Sequence, residues 1–286
     1  MRKLFVLLLA LLFVACSKSH TPTGAEFVAR VTECDYSGNL MHISFDDTAL
    51  SLDSLFATGP ESIYEIAFFR DLRELHDKYG ACFSLYVYSD KLANVTDNYK
   101  TEFQQAKNWL RFNFHTFNDK KYGRKSIAHD YDNGIRRLLT MVGDDRGCLD
   151  GQIRGNYWEM SESNANYIKS SSLHPSFLLC GKDPFSPSKA NNYLTPAQQT
   201  LLFNNGIYFD IDNGLIFIQT CARLDTDDYC QRSMQLISRN LKWQKHCEVL
   251  NHEWAFSKER MDTFLSWATT RMHFRFGFFA DIYTIR

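Results

Sequence analysis

From residue 40 onward, apolar β-rich runs alternate with amphipathic helical stretches, and this alternation limits the possible folds more than any other feature of the chain. MHISFDD reads as a strand that buries Met41, Ile43 and Phe45. A helix is predicted from about Glu61 to Tyr79, opened by Pro60 and stopped by Gly80. Strands follow at residues 81–89 and 109–117, with helices near 97–108 and 127–141, and PSFLLC (175–180) reads as a short buried strand. Thr195-Pro196 opens a short helix. GIYFDIDNGLIFIQT reads as a hairpin around Asp212-Asn213-Gly214. A helix near 227–242, the strand CEVLNHEW and a helix capped by Ser257 complete the pattern, while the strand-like FRFGFFADIYTIR has no assigned place. The order predicts an α/β fold with a mostly parallel sheet, open or closed into a barrel. No repeat or low-complexity linker divides it, so residues 31–286 are expected to form one domain.

The N-terminus belongs to a different category. Arg2 and Lys3 precede an apolar run, Leu4 to Val14, too short to span a bilayer as a helix. FVAC resembles a bacterial lipobox, with Phe13 where leucine is usual. Residues 1–15 are then expected to be a lipoprotein signal, Cys16 the lipidated residue, and 16–30 a polar tether. Ser17 suits sorting to the outer membrane, facing the periplasm or the surface. Membrane contact would be through the lipid alone.

With Cys16 set aside, seven cysteines remain, an odd number that cannot all pair. No CxxC spacing indicates a zinc–thiolate site, and Cys82 reads as a small buried hydrophobe. Cys148–Cys180 and Cys221–Cys230 are pairings open to an exported chain. A net charge of −1, from 32 basic and 33 acidic residues, offers no electrostatic footprint for nucleic acid.

In α/β folds ligands gather at the carboxyl ends of strands, so the residues leaving each strand are the candidates. The first strand leaves Asp46 and Asp47, which serve one site only if the chain turns there. The third leaves His115, followed four residues later by Asp119; the strand near 250 leaves His252 and Glu253. Carboxylates and imidazoles at three strand ends are the composition of a metal site with an acid–base pair. Taken singly, each has a bland reading as a turn or structural residue.

The order of ISFDD, HDKYGACFSLYVYS, FNFHTFND, QIRGNYW and LNHEW resembles that of the polysaccharide deacetylase family, the NodB-type carbohydrate esterases, over about residues 40–270. The resemblance implies a distorted (β/α) barrel and a divalent-metal hydrolase, with zinc or another divalent cation, that removes acetyl from N- or O-acetylated sugars. It implies Asp46 as catalytic base, Asp47 and His115 as metal ligands, His252 as general acid and Arg154 as the arginine that orients the base. Tyr157 and Trp158 are candidates to wall the sugar pocket.

The departure lies at Asp119, where the family has a second histidine. Two carboxylates and one neutral imidazole cancel a divalent charge, so the metal would acidify its water less. A glycan-binding surface lipoprotein that has lost the chemistry is therefore the alternative. A glycosidase would need two carboxylates facing each other across a sugar. Asp46 and Asp47 are chain neighbours, which leaves Glu253 as the other partner.

Overall fold

The computed structural model describes residues 39–117, 126–173, 178–179, 181, 184–185, 191–241, 243 and 246–282. β1 (Leu40–Asp46) is followed by α1 (Leu50–Thr58), α2 (Ala67–Tyr79) and β2 (Phe83–Tyr88). Then come α3 (Lys100–Ala106), β3 (Leu110–His115), α4 (Ser126–Met141), β4 (Leu149–Arg154), α5 (Glu162–Lys169) and β5 (Leu178–Leu179). The second half runs α6 (Pro196–Asn205), β6 (Ile207–Asp210), β7 (Leu215–Ile218), β8 (Thr220–Arg223), α7 (Asp227–Arg239), β9 (His246–His252), α8 (Lys258–Thr270) and β10 (Arg275–Phe276).

The strands form one ten-stranded sheet in the order β6-β7-β5-β4-β3-β2-β1-β9-β8, with β10 beside the start of β1. Every ladder between named strands is parallel except the β6–β7 hairpin. Only Gln219 separates β7 from β8, yet β7 pairs with β5 and β8 with β9. This bent run joins the two ends of the parallel series by covalent continuity rather than by a ladder, which makes the fold a distorted (β/α) barrel.

Strict alternation along the strands sorts the residues. Met41, Ile43, Phe45, Phe83, Leu85, Val87, Phe112, Phe114 and Val249 pack outward with helical Leu52, Leu72, Phe103, Leu138 and Phe264 in the main apolar cluster. Most residues of the other parity are polar and buried, among them His42, Ser44, Asp46, Ser84, Asn113, His115, Asp150, Gln152, Arg154 and Glu248. Hydrogen bonds among them offset much of the cost of burying polar groups, although His42 Nδ1, Asp46 Oδ1, Asn113 Nδ2, Asp150 Oδ1, Arg154 Nε and Glu248 Oε2 make none. His42 bonds Ser84 (2.8 Å), Ser84 donates to Asp150 (2.9 Å), and the Tyr86 hydroxyl donates to Gln152 (2.6 Å). At the amino end of the barrel Phe279 packs with Leu40, Tyr86, Ile216 and Ile282, its ring 5.0 Å from that of His42.

Several sequence expectations need correction. The helix expected over 61–79 is broken at Ile66, whose extended backbone (φ −76, ψ 121) separates a single turn, Ile63–Glu65, from α2. A Ser62–Glu65 capping box closes that turn. α1 and β4 were not anticipated. β4 escapes a hydrophobicity search because Asp150, Gln152 and Arg154 face the polar interior and Gly151 (φ 65) interrupts it. Of FRFGFFADIYTIR only Arg275–Phe276 is strand among the described residues. Cys82, Cys148, Cys221, Cys230 and Cys247 are all buried and free. Cys221 meets the Cys247 thiol across the β8–β9 ladder, which leaves the Cys221–Cys230 disulfide unformed. Cys16, Cys34 and Cys180 lie outside the described residues. Among those residues no helix is long and apolar enough to cross a membrane.

Candidate active site

The parallel register brings strand ends level. Asp46 is the partner of His252 across β1 and β9, Tyr88 of His115 across β2 and β3, and His115 of Arg154 across β3 and β4. Directly after β1, Asp47 adopts a left-handed backbone (φ 55), and this is the turn that lets adjacent aspartates serve one site. Asp46, Asp47, Tyr88, His115, Arg154, Tyr157, Trp158, Leu250, His252 and Trp254 line a cavity of about 390 Å³. Three of the six described non-glycine residues with positive φ, namely Asp47, Tyr157 and Trp158, lie on this wall. Such conformations cost about 1–3 kcal/mol each and persist where the surroundings impose them.

Asp46 is 5% exposed. Its Oδ1 lies 3.1 Å from Arg154 Nε, an ion pair off the hydrogen-bonding direction, and makes no hydrogen bond. Burial pushes its carboxyl up to about 7, against the opposing pull of Arg154 and His252. Arg154 is itself locked: its terminal nitrogens donate to Thr220 Oγ1 (3.0 Å), Ser44 Oγ (3.0 Å) and Glu248 Oε1 (2.8 Å). One guanidinium thus serves two buried carboxylates, Asp46 and Glu248.

His252 is held differently. Its Nδ1–H donates to both Asp225 oxygens (2.9 and 3.0 Å), and Asp225 also accepts the backbone N–H of His252 (2.9 Å). Burial works to lower the imidazole's affinity for its proton, but Asp225, Asp46 and Asp47 together raise it above the ordinary value. The pair resembles an acid with its orienting carboxylate. Asp225 escaped the sequence reading because β8, whose end it follows, is not recognised there as a strand: the hairpin ends at Thr220 and the residues up to 227 carry no assignment.

His115 Nδ1–H donates to the Thr116 carbonyl (2.8 Å), which leaves Nε2 as the free lone pair. Nε2 stands 3.7 Å from Asp47 Oδ1 and 3.9 Å from Asp46 Oδ2. Burial pushes this imidazole down to about 4, so it is neutral at pH 7 and fit to ligate. Tyr88 donates to Asp47 Oδ1 (2.8 Å) and Trp254 to Asp47 Oδ2 (3.3 Å). Two donors, Asp47 and His115, therefore suit one divalent cation, each lying within reach of a position about 2.0–2.2 Å away. Asp119, the expected third ligand, lies outside the described residues, among which no group of three or more His, Cys, Asp or Glu is arranged for a metal.

Glu253, the remaining carboxylate at this end of the sheet, is consumed structurally. Its oxygens accept the backbone N–H groups of Ala49 (2.6 Å), Leu50 (2.8 Å) and Ser51 (2.7 Å) at the start of α1. His42 is at the far end of β1, bonded to Ser84, and His129 is exposed on α4.

No protein-family model matches the sequence, and no curated protein matches it. Among solved structures, a Mycobacterium smegmatis protein assigned as a polysaccharide deacetylase superposes with a TM-score of 0.53 at 11% identity, over 86% of this chain and 90% of that one. A family 4 acetyl xylan esterase from Clostridium thermocellum, in complex with a cobalt ion, gives 0.48 at 12% identity over 85% and 89%. A mutant of a Bacillus anthracis CE4 family pseudoenzyme with restored enzymatic activity gives 0.49 at 9% identity over 87% and 68%. The fold of this chain is that of the polysaccharide deacetylases.

Proposed function

We propose that this chain is a divalent-metal hydrolase that removes acetyl groups, N- or O-linked, from a carbohydrate. One observation carries the reading: a buried carboxylate paired with an arginine and an imidazole paired with a carboxylate face one cavity from adjacent strands. A pure binding protein has no need of both.

Asp47 and His115, with Asp119 as third ligand, would hold the cation. When bound, a divalent ion there acidifies a water and polarises an acetyl oxygen. Asp46, poised near neutrality, takes the proton of the attacking water. Arg154, anchored by Glu248, Ser44 and Thr220, keeps Asp46 oriented. His252 enters protonated and gives its Nε2 proton to the departing nitrogen or oxygen, while Asp225 retains the Nδ1–H and fixes the ring. Leu250 supplies an apolar patch of cavity wall.

The N-terminal sequence supports a lipid anchor on Cys16, which would hold the enzyme in the bacterial envelope, at the outer membrane. The metal would be zinc or another divalent ion. Asp119 favours a second reading, a glycan-binding lipoprotein without turnover, because it makes the metal site less positive. Acetate release from acetylated oligosaccharides, with Asp46→Asn as control, separates the two. Release by the wild type and its loss in the variant support the hydrolase; binding without release supports the alternative.

A further inference from the structure

Trp254 is 60% exposed, among the most exposed large hydrophobic side chains described, and stands on the cavity wall. An indole in water is normally free to move, but this one is fixed from three sides. Its N–H donates to Asp47 Oδ2 (3.3 Å), and its ring lies 4.9 Å from that of His252 at an interplanar angle of 33°. Glu253, the preceding residue, is clamped to three backbone N–H groups of the α1 start. Leu50, 61% exposed, is tied through its own N–H to the same carboxylate. An apolar surface is therefore held rigid and open to water beside the catalytic acid, so little ordering cost remains when something binds it.

We propose that Trp254 is the platform on which the leaving sugar stacks, and so a specificity-determining residue for a pyranose-bearing leaving group. The inference rests on the hydrolase reading, in which His252 donates to the leaving nitrogen or oxygen. A group touching His252 on that side belongs to the sugar and not to the acetyl. Pyranoses present a face of C–H bonds, slightly positive, which complements the negative face of an indole. Trp254 thus reads the sugar, while Asp47, which it also contacts, belongs to the acetyl end.

The test compares wild type, Trp254→Ala and Trp254→Phe on two probes, chitopentaose or an acetylated xylo-oligosaccharide, and 4-nitrophenyl acetate, which has no sugar. The expected result is a fall of at least about tenfold in the ratio of kcat/KM for the oligosaccharide to that for the small ester in Trp254→Ala. The fall is carried mainly by KM. In Trp254→Phe, which keeps a ring and loses the N–H, the ratio stays within about threefold of wild type. A ratio unchanged in Trp254→Ala overturns the platform, because a residue that only steadies Asp47 or His252 lowers both activities together. If the wild type hydrolyses neither oligosaccharide, the hydrolase reading fails by itself, and calorimetric binding of the same oligosaccharides decides the platform. Binding weakened in Trp254→Ala and kept in Trp254→Phe upholds it; equal binding by all three proteins, or none by the wild type, overturns it.

Discussion

Asp46 and His252 are register partners across the β1–β9 ladder, yet each is tied to a different counter-group, Asp46 to Arg154 and His252 to Asp225. Two titratable groups side by side are thereby pushed toward opposite duties, one toward accepting a proton and the other toward holding one.

Replacing Asp225 separates those duties. Asp225 helps raise His252, so Asp225→Asn lowers the imidazole's pKa. Donation needs the protonated ring, and the alkaline limb of the kcat/KM profile therefore moves to lower pH. A drop in kcat of about tenfold or more accompanies it, part of the ~10²–10⁴ that a positioned acid supplies. A pH–rate profile of both proteins checks this, and an unmoved limb removes His252 from the role of acid.

In metal-free protein, burial raises Asp46 to about 7 in the folded state, against about 3.9 unfolded. A raised folded pKa means that the contribution is fully present below the unfolded value and is lost as pH rises through about 7. Wild type should lose, relative to Asp46→Asn, on the order of a few kcal/mol between acid and neutral pH. Urea unfolding of both proteins in chelator across that window measures the difference.

Glu253→Ala leaves three backbone N–H groups at the α1 start without their acceptor. The expected loss is about 2–4 kcal/mol, larger than for an ordinary cap because a charged acceptor serves all three. Glu253→Gln recovers part of it. Chemical denaturation gives the stabilities, and a neutral result would mean that the clasp between β9 and α1 contributes little.

Added zinc or cobalt should raise the wild-type Tm, by an amount equivalent to about 2.7 kcal/mol at one hundred times Kd. Asp47→Asn and His115→Ala should abolish the shift and reduce metal content. Asp119→His makes a bound cation's site more positive and should raise kcat on an acetylated glycan. A full metal complement in Asp47→Asn would place the ion elsewhere.

Strand ends were legible because alternation of apolar residues marks β1, β2, β3 and β9, and inspection of what leaves them finds Asp46, Asp47, His115 and His252. β4 was not legible, since its inward side chains are polar, and Arg154 was reached only through the resemblance. α1 was missed because its N-terminus is capped by Glu253, about two hundred residues away in sequence, and not by a neighbour.

By itself the sequence determined the α/β alternation and the carboxylates and imidazoles that leave the strand ends, with the order in which they occur, because period-two patterning and strand-end chemistry are local properties. Their assignment as acid, base and cation ligands came from the family resemblance. Only the tertiary structure decided that Asp225 orients His252, that Glu248 shares Arg154, that Glu253 is a clasp and that the Trp254 ring lies against that of His252. Those relationships depend on parallel register and on a left-handed turn at Asp47, which bring together side chains that no spacing along the chain connects.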